Sequence, residues 1–479
     1  MSSSAAMELA VNAAQNWLEE INDRPVSACD NLETLRSKIV STLGSEGLPP
    51  EQVVDELVKA SKGGLLGSAG GRFFAWVIGG SLPSALAADW LTSTWDQNAA
   101  LYACSPAASV VEEIAGEWIK ELLQLPQQSS FAFTTGCQLA HFTCLAAALG
   151  AVLKRSGWNI NEDGLFGAPS LRVLTSEHRH GSIDRAVRYL GLGNKSLQAI
   201  TSGADGRINL RSLSETLKRS NAPTILVLNA ADLNIAAFDL FEELIPMAKE
   251  FGAWVHIDGA FGLFARASKQ KFHLTAGLEL ADSWATDGHK WLNVPFDCGI
   301  AIIRDREAHR EAMTISASYI APETQARDQI DWNPEWSRRA RGFTVYAALR
   351  ELGKNGVADL VDRTSKHCHT IVTEIDKIHG AEMLFEPQLN QGLVRFLDLR
   401  PNATEEDHDK QTDAVIAAIN ASGEAFFSGT RWNGKNAMRV SVVNWRTNDD
   451  DVHRTVQAIR GVVKELQESR PAVVCPKPG

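Results

Sequence analysis

Lys290 stands in Ala285-Thr286-Asp287-Gly288-His289-Lys290-Trp291, where a short apolar run gives way in quick succession to an acid, a histidine and a lysine. A lysine withdrawn from water loses hydration that favours its charged form, so burial lowers its pKa toward the range where the neutral amine attacks a carbonyl. The plainer alternative is a surface lysine whose stem lies along apolar neighbours. A second run, Ala253-Trp254-Val255-His256-Ile257-Asp258, ends on a carboxylate. If buried, that carboxylate needs a proton-bearing partner, such as a protonated heterocyclic nitrogen; otherwise it caps the turn that follows.

Two further stretches carry polar groups after apolar runs. Leu174 leads into His178-Arg179-His180, and Phe131-Ala132-Phe133 into Thr134-Thr135-Gly136-Cys137-Gln138. His180 precedes a helical run and could stack on a flat ring, or be a solvated loop histidine. Gly136, placed before a helix through Ala140, Leu145 and Ala148, could offer backbone N–H groups to a phosphate. The spacings His178-x-His180 and His256-x-Asp258 also admit a metallohydrolase reading, with these residues converging on zinc.

All these groups need a scaffold that brings strand ends together. Apolar runs at Arg172–Leu174, Thr224–Leu228, Ala253–Ile257, Ser283–Thr286 and Gly299–Ile303 read as buried strands, with helical patterns such as Ile183–Leu190 and Phe241–Phe251 between them. This is the pattern of an α/β domain with a mostly parallel sheet, in which ligands sit beyond the carboxyl ends of the strands. Helical periodicity marks Ala5–Ile21, Leu32–Leu43, a stretch after Pro83 through Leu86, Leu91 and Trp95, and another from Pro106 to Leu123. Beyond Arg350 a long helix (Val357–Ile378), alternating runs at Leu393–Phe396 and Met438–Val443, and a closing helix (Asp451–Leu466) describe a smaller α+β domain. The expected division is 1–82 helical, 83–350 large and 351–479 small.

Bulk properties narrow the partners. The 479 residues are 44% hydrophobic and 22% charged, enough for a sizeable core, and 47 basic against 58 acidic residues give a net charge of −11. The charges interleave, so neither nucleic acid nor an anionic membrane is an expected partner. Residues 1–19 lack a basic-then-apolar leader pattern, and no segment reads as a membrane span. Seven cysteines, at 29, 104, 137, 144, 298, 368 and 475, form no CxxC pair and read as reduced thiols, with a cytoplasmic location expected.

Taken together, these stretches resemble the group II pyridoxal-phosphate-dependent amino-acid decarboxylases, enzymes of the aspartate-aminotransferase fold (fold type I). Residues 281–299 resemble that family's Schiff-base lysine segment, His256-Ile257-Asp258-Gly259-Ala260-Phe261-Gly262 its pyridine-nitrogen segment, and 176–191 the segment bearing its ring-stacking histidine. The likeness runs from Asp23-Arg24-Pro25-Val26 to 438–445. It implies a seven-stranded-type sheet and pyridoxal 5'-phosphate held by Lys290, Asp258, His180, Gly136, Cys137, Gln138, Ala260, Asn234, Asp287 and His289. It further implies a homodimer, with the N-terminal helices wrapping the second subunit.

The implied reaction is decarboxylation of an L-amino acid to its amine and carbon dioxide, with Lys290, Tyr319, His180 and His289 as catalytic residues. A tyrosine in a loop after the lysine strand supports carbon protonation in the resembling enzymes; Tyr319 lies in the corresponding Ser316–Ile320 stretch. Phenylalanine there accompanies oxidative aldehyde formation in that family. The chain departs from the family pattern at 229–236, where Leu233 or Asn234 replaces a threonine and Asp232 adds an acid, and in the phosphate loop at Cys137-Gln138. These departures keep decarboxylation-coupled oxidation and carbon–carbon lyase chemistry open as alternatives. Trp76, Val77, Gly79, Tyr102 and Tyr319 are the expected substrate-binding residues, with an aromatic or apolar amino acid favoured.

Overall fold

The structure is a computed structural model, and it describes residues 4–315 and 326–468. Tyr319 lies outside the described residues. The chain divides into two compact units. One comprises 79–366 with 387–391, the other 1–78, 367–386 and 392–479.

The first unit is built on seven strands: Ser130–Thr134 (β1), Arg172–Ser176 (β2), Leu197–Ile200 (β3), Thr224–Asn229 (β4), Trp254–Asp258 (β5), Ser283–Asp287 (β6) and Gly299–Ile303 (β7). Their order is β1-β7-β6-β5-β4-β2-β3. Strands β3, β2, β4, β5 and β6 run parallel, while β7 is antiparallel to both its neighbours. Every residue of β1, β2, β4, β5, β6 and β7 is buried, as a sheet covered on both faces requires. That is why their sequences read as unbroken apolar runs. Only the edge strand β3 is half exposed.

The helix Cys137–Arg155 packs across this sheet through Ala140, Cys144, Leu145, Ala148 and Val152. It corrects the expectation that no segment could span a membrane, being long and apolar enough by length and composition. Most of it is buried, so its apolar faces are those of a core helix between sheet and flanking helices. By contacts the boundary to the other unit falls at 366/367, within the span Gly342–Asp376, where two helices meet at a non-helical Gly353 (φ 58°).

The second unit contains a four-stranded sheet made of Ala381–Phe385 (β8), Gln391–Phe396 (β9), Ser428–Trp432 (β10) and Lys435–Ser441 (β11), ordered β10-β11-β9-β8. The helices Glu405–Ser422 and Asp449–Glu468 pack on it through Val415, Ile419, Val452 and Ile459. Residues 1–78 group with this unit and carry the helices Ser4–Glu20, Leu32–Lys38 and Pro50–Ser61, none of which buries a residue.

Candidate active site

Three adjacent parallel strands end on polar side chains: β4 on Asn229, β5 on Asp258 and β6 on Asp287. Register brings them level, with Asn229 opposite Asp258 and Asp258 opposite Ala285. On the far side of β6, Gly299 of β7 lies between Asp287 and Thr134 of β1. The turn after β1 therefore arrives beside Asp287. Space there is tight, since a Cβ on Gly299 would lie 2.2 Å from the Gly136 carbonyl carbon.

Gly136 has φ +91°, a backbone state favouring glycine, and it starts the helix Cys137–Arg155. The first helical N–H, that of Cys137, donates to Asp287 Oδ1 at 2.6 Å. Asp287 Oδ2 lies 3.0 Å from Lys290 Nζ, and Asp287 Oδ1 lies 3.6 Å from His289 Nε2. One buried carboxylate thus meets a helix N-terminus, an amine and an imidazole. Burial favours neutral Lys290, but Asp287 first, then Asp258, outweigh it and raise the Lys290 pKa. This reverses the direction expected from the sequence. His289 goes the other way, lowered by burial against the pull of Asp287.

Asp258 is 6% exposed, and its Oδ1 accepts the Ala260 N–H at 3.2 Å while facing His141 Nε2 at 3.5 Å. Burial pushes its carboxyl up, but His141, His180 and Lys290 together hold it below the usual carboxylate range. Asp258 is therefore ionised although buried. The expectation that it caps the following turn also holds, through Ala260. His141, absent from the sequence-derived candidates, is fully buried.

The other candidates fall as follows. His180 is exposed and caps the helix Gly181–Tyr189, its Nδ1 accepting the Ser182 N–H at 3.2 Å. Gln138 reaches the Ser182 carbonyl at 3.2 Å, tying the two helix starts together. Asn234 is buried, and its N–H, like that of Ile235, donates to Asp232 Oδ1. Among the described residues, Asp232 Oδ2 is buried without a hydrogen-bond partner. Gly79 is buried against the Lys290 and His289 carbonyls, whereas Trp76 and Val77 belong to the other unit, both at positive φ (55° and 57°). Tyr102 is anchored by its N–H to Asp328 at 2.8 Å.

The zinc arrangement expected of His178, His180, His256 and Asp258 does not form. Among the described residues, the donors that converge within 4.8 Å of one another are those of Cys137, His141 and Asp258. His256 instead commits both ring nitrogens, to His141 and Ser283, and His180 commits Nδ1 to its helix. What does assemble is an amine, an ionised buried carboxylate, an exposed imidazole and a helix N-terminus. Such a set can form an imine, hold a protonated heterocycle, cover an aromatic face and cradle an anion.

Residues 37–397 match the family model for the pyridoxal-dependent decarboxylase conserved domain. L-2,4-diaminobutyrate decarboxylase of Rhizobium meliloti is 29% identical over 395 residues, 80% of this chain and 76% of that protein. Aromatic-L-amino-acid decarboxylase of Bacillus atrophaeus is 24% identical over 473 residues, 97% and 96% of the two chains. Among solved structures, Oryza sativa TDC with PLP and tryptamine superposes with a TM-score of 0.90 at 21% identity, covering 97% of this chain and 98% of that one.

Proposed function

Since this chain belongs to the family of pyridoxal-dependent decarboxylases, we propose that Lys290 is the amine that joins the cofactor and Asp258 the carboxylate that faces its ring nitrogen. His180 covers the ring. Gly136, Cys137 and Gln138 at the helix N-terminus, with His289, take the phosphate. The enzyme is a pyridoxal-phosphate-dependent amino-acid decarboxylase, and the residue assignment is what requires testing.

The observation that carries the assignment is Asp258, kept ionised in a buried position one strand away from the segment bearing Lys290. A protonated ring nitrogen needs such a partner, so the residues present fit the cofactor. Asp287 is the departure, because its carboxylate occupies the Cys137 N–H that a phosphate would use. When bound, pyridoxal phosphate offers a carbonyl to the amines of Lys290 and substrate, and a conjugated ring that accepts the electrons left as carbon dioxide departs.

The chain's own residues do the rest. Asp258 stabilises positive charge on the ring nitrogen, while Lys290, held by Asp287, is placed to carry protons at the reacting amine. Tyr319 delivers the proton to the substrate α-carbon. Borohydride reduction followed by peptide mapping tests the anchor, and label on any lysine other than Lys290 overturns it.

The substrate reading is an aromatic or apolar L-amino acid, supported by the Bacillus relative over nearly the whole chain. A second reading, a diamino acid, is favoured by the buried, unpartnered Asp232 Oδ2 and by the Rhizobium relative. A panel of amino acids monitored for carbon dioxide, amine, aldehyde and peroxide separates these readings and the oxidative one. The protein works as a homodimer, a reading supported by apolar side chains left exposed on the N-terminal helices, such as Met7, Leu32 and Leu57, and its expected location is the cytosol. A monomeric mass by light scattering at micromolar concentration counts against the dimer, and a membrane-fraction location against the cytosol.

A further inference from the structure

Behind Asp258 lies a line of polar groups with almost no access to solvent. Trp254 Nε1 donates to Ser283 Oγ at 2.9 Å, and Ser283 Oγ lies 2.9 Å from His256 Nδ1. His256 Nε2 lies 2.9 Å from His141 Nδ1, and His141 Nε2 faces Asp258 Oδ1 at 3.5 Å. Trp254 is 1% exposed, and Ser283, His256 and His141 are each 0% exposed. Four polar side chains on two strands and a helix are costly to bury unless each finds a partner.

We propose that His141 is a positioning residue whose Nε2–H is aimed at the Asp258 carboxylate by a one-way chain of hydrogen bonds starting at Trp254. Indole N–H can only donate, so Ser283 Oγ accepts from Trp254, and in the proposed chain the Ser283 hydroxyl donates on to His256 Nδ1. His256 then carries its proton on Nε2 and donates to His141 Nδ1, leaving the His141 proton on Nε2. The competing acceptor, Cys137 Sγ at 3.4 Å, is a weak one, and burial keeps it a thiol. The His256 pKa, lowered by burial to about 3, agrees with a neutral ring holding one proton.

The consequence is that Asp258 is oriented and kept anionic from behind, leaving it to meet a ring nitrogen in front. This rests on the reading of Asp258 given above. Removing the donor should weaken cofactor binding, and a different donor in the same place should restore it. A side chain present only to fill the core would not behave so.

The test uses the holoenzyme labelled with 15N-histidine. At neutral pH both His141 and His256 should show the Nε2–H tautomer with Nδ1 unprotonated; a proton on His141 Nδ1, alone or as a second proton, overturns the proposal. In parallel, His141→Leu should raise the cofactor Kd by about tenfold or more, and His141→Gln, whose amide can donate from a similar position, should recover to within about threefold. Unchanged binding in the leucine variant, or no recovery by glutamine, also overturns it. Should the leucine variant not fold, the tautomer measurement on the unaltered protein decides. Failure of the underlying reading shows itself elsewhere, as cofactor binding that is indifferent to Asp258→Ala while the tautomers are as stated.

Discussion

Replacing Gly79 by alanine should disable the site from outside the chemistry. Gly79 is buried, and the segment it opens is laced to the turn that follows Lys290. Gly80 N–H donates to Asn293 Oδ1 at 2.8 Å, and Leu82 N–H to the Asn293 carbonyl at 2.8 Å. A Cβ at position 79 would stand 2.1 Å from the Lys290 carbonyl oxygen and 3.1 Å from that of His289. Ordinary contact requires a separation of about 3.4 Å, so one backbone must retreat by more than about 1 Å. Neither is a flexible side-chain end. The two hydrogen bonds to Asn293 oppose the movement. Gly79 is outside the left-handed region, so alanine brings the collision without any dihedral strain of its own.

Overpacking of this kind costs about 1–3 kcal/mol, which in a unit of this size lowers Tm by roughly 2–5 °C. The functional cost is larger in proportion, because a displacement of about 1 Å at a reacting group reduces turnover by about 100-fold. The assay is carbon dioxide release alongside the visible absorbance of bound cofactor and a thermal melt. Gly461→Ala serves as control, since a Cβ there meets nothing within 4 Å. A folded Gly79→Ala protein with unaltered turnover and absorbance would refute the reasoning.

Further outcomes follow from other buried groups. Glu112 and Arg338 form an ion pair at 2.8 Å with both side chains inaccessible, so Glu112→Gln should lose about 3–5 kcal/mol by urea unfolding, and Glu112→Leu with Arg338→Met should recover much of it. An unshifted urea midpoint in the single variant would contradict this. His256 and His309 are fully buried with pKa values lowered by burial to about 3, against 6.5 when unfolded. Their contribution is complete above pH 6.5 and falls away as pH drops from there toward 3, by about 2 kcal/mol each at pH 5. Melts at pH 7.5 and 5 should show the loss, and His309→Gln should remove about half of this part of the slope. A variant that keeps the full slope would count against His309 as a source.

The strands were legible because six of the seven in the large sheet are buried on both faces, which produces continuous apolar runs. β3 shows no such run, because its middle residues face solvent and Gln198 interrupts the pattern. The helix Glu405–Ser422 is absent from the sequence-derived elements, although Thr404 and Asp407 form a capping box readable from their spacing. The unit boundary at 366/367 could not be read from composition, because it lies inside a helix whose sequence does not change character there.

At the site, strand ends located Asp258, Asp287 and Lys290. Burial of Lys290 alone predicts a lowered pKa; the carboxylate 3.0 Å away raises it instead. That carboxylate is only three positions earlier, at the end of the same strand, so the reversal could have been anticipated from spacing. His141 differs, because its partners His256 and Asp258 lie far along the chain on another element. Its one local signal is an imidazole on the buried face of an apolar helix, one turn after Cys137. A ring in that position must find partners in the core. It finds them at the end of β5, so the residue most directly behind Asp258 is supplied by a helix that sequence reading assigns to packing.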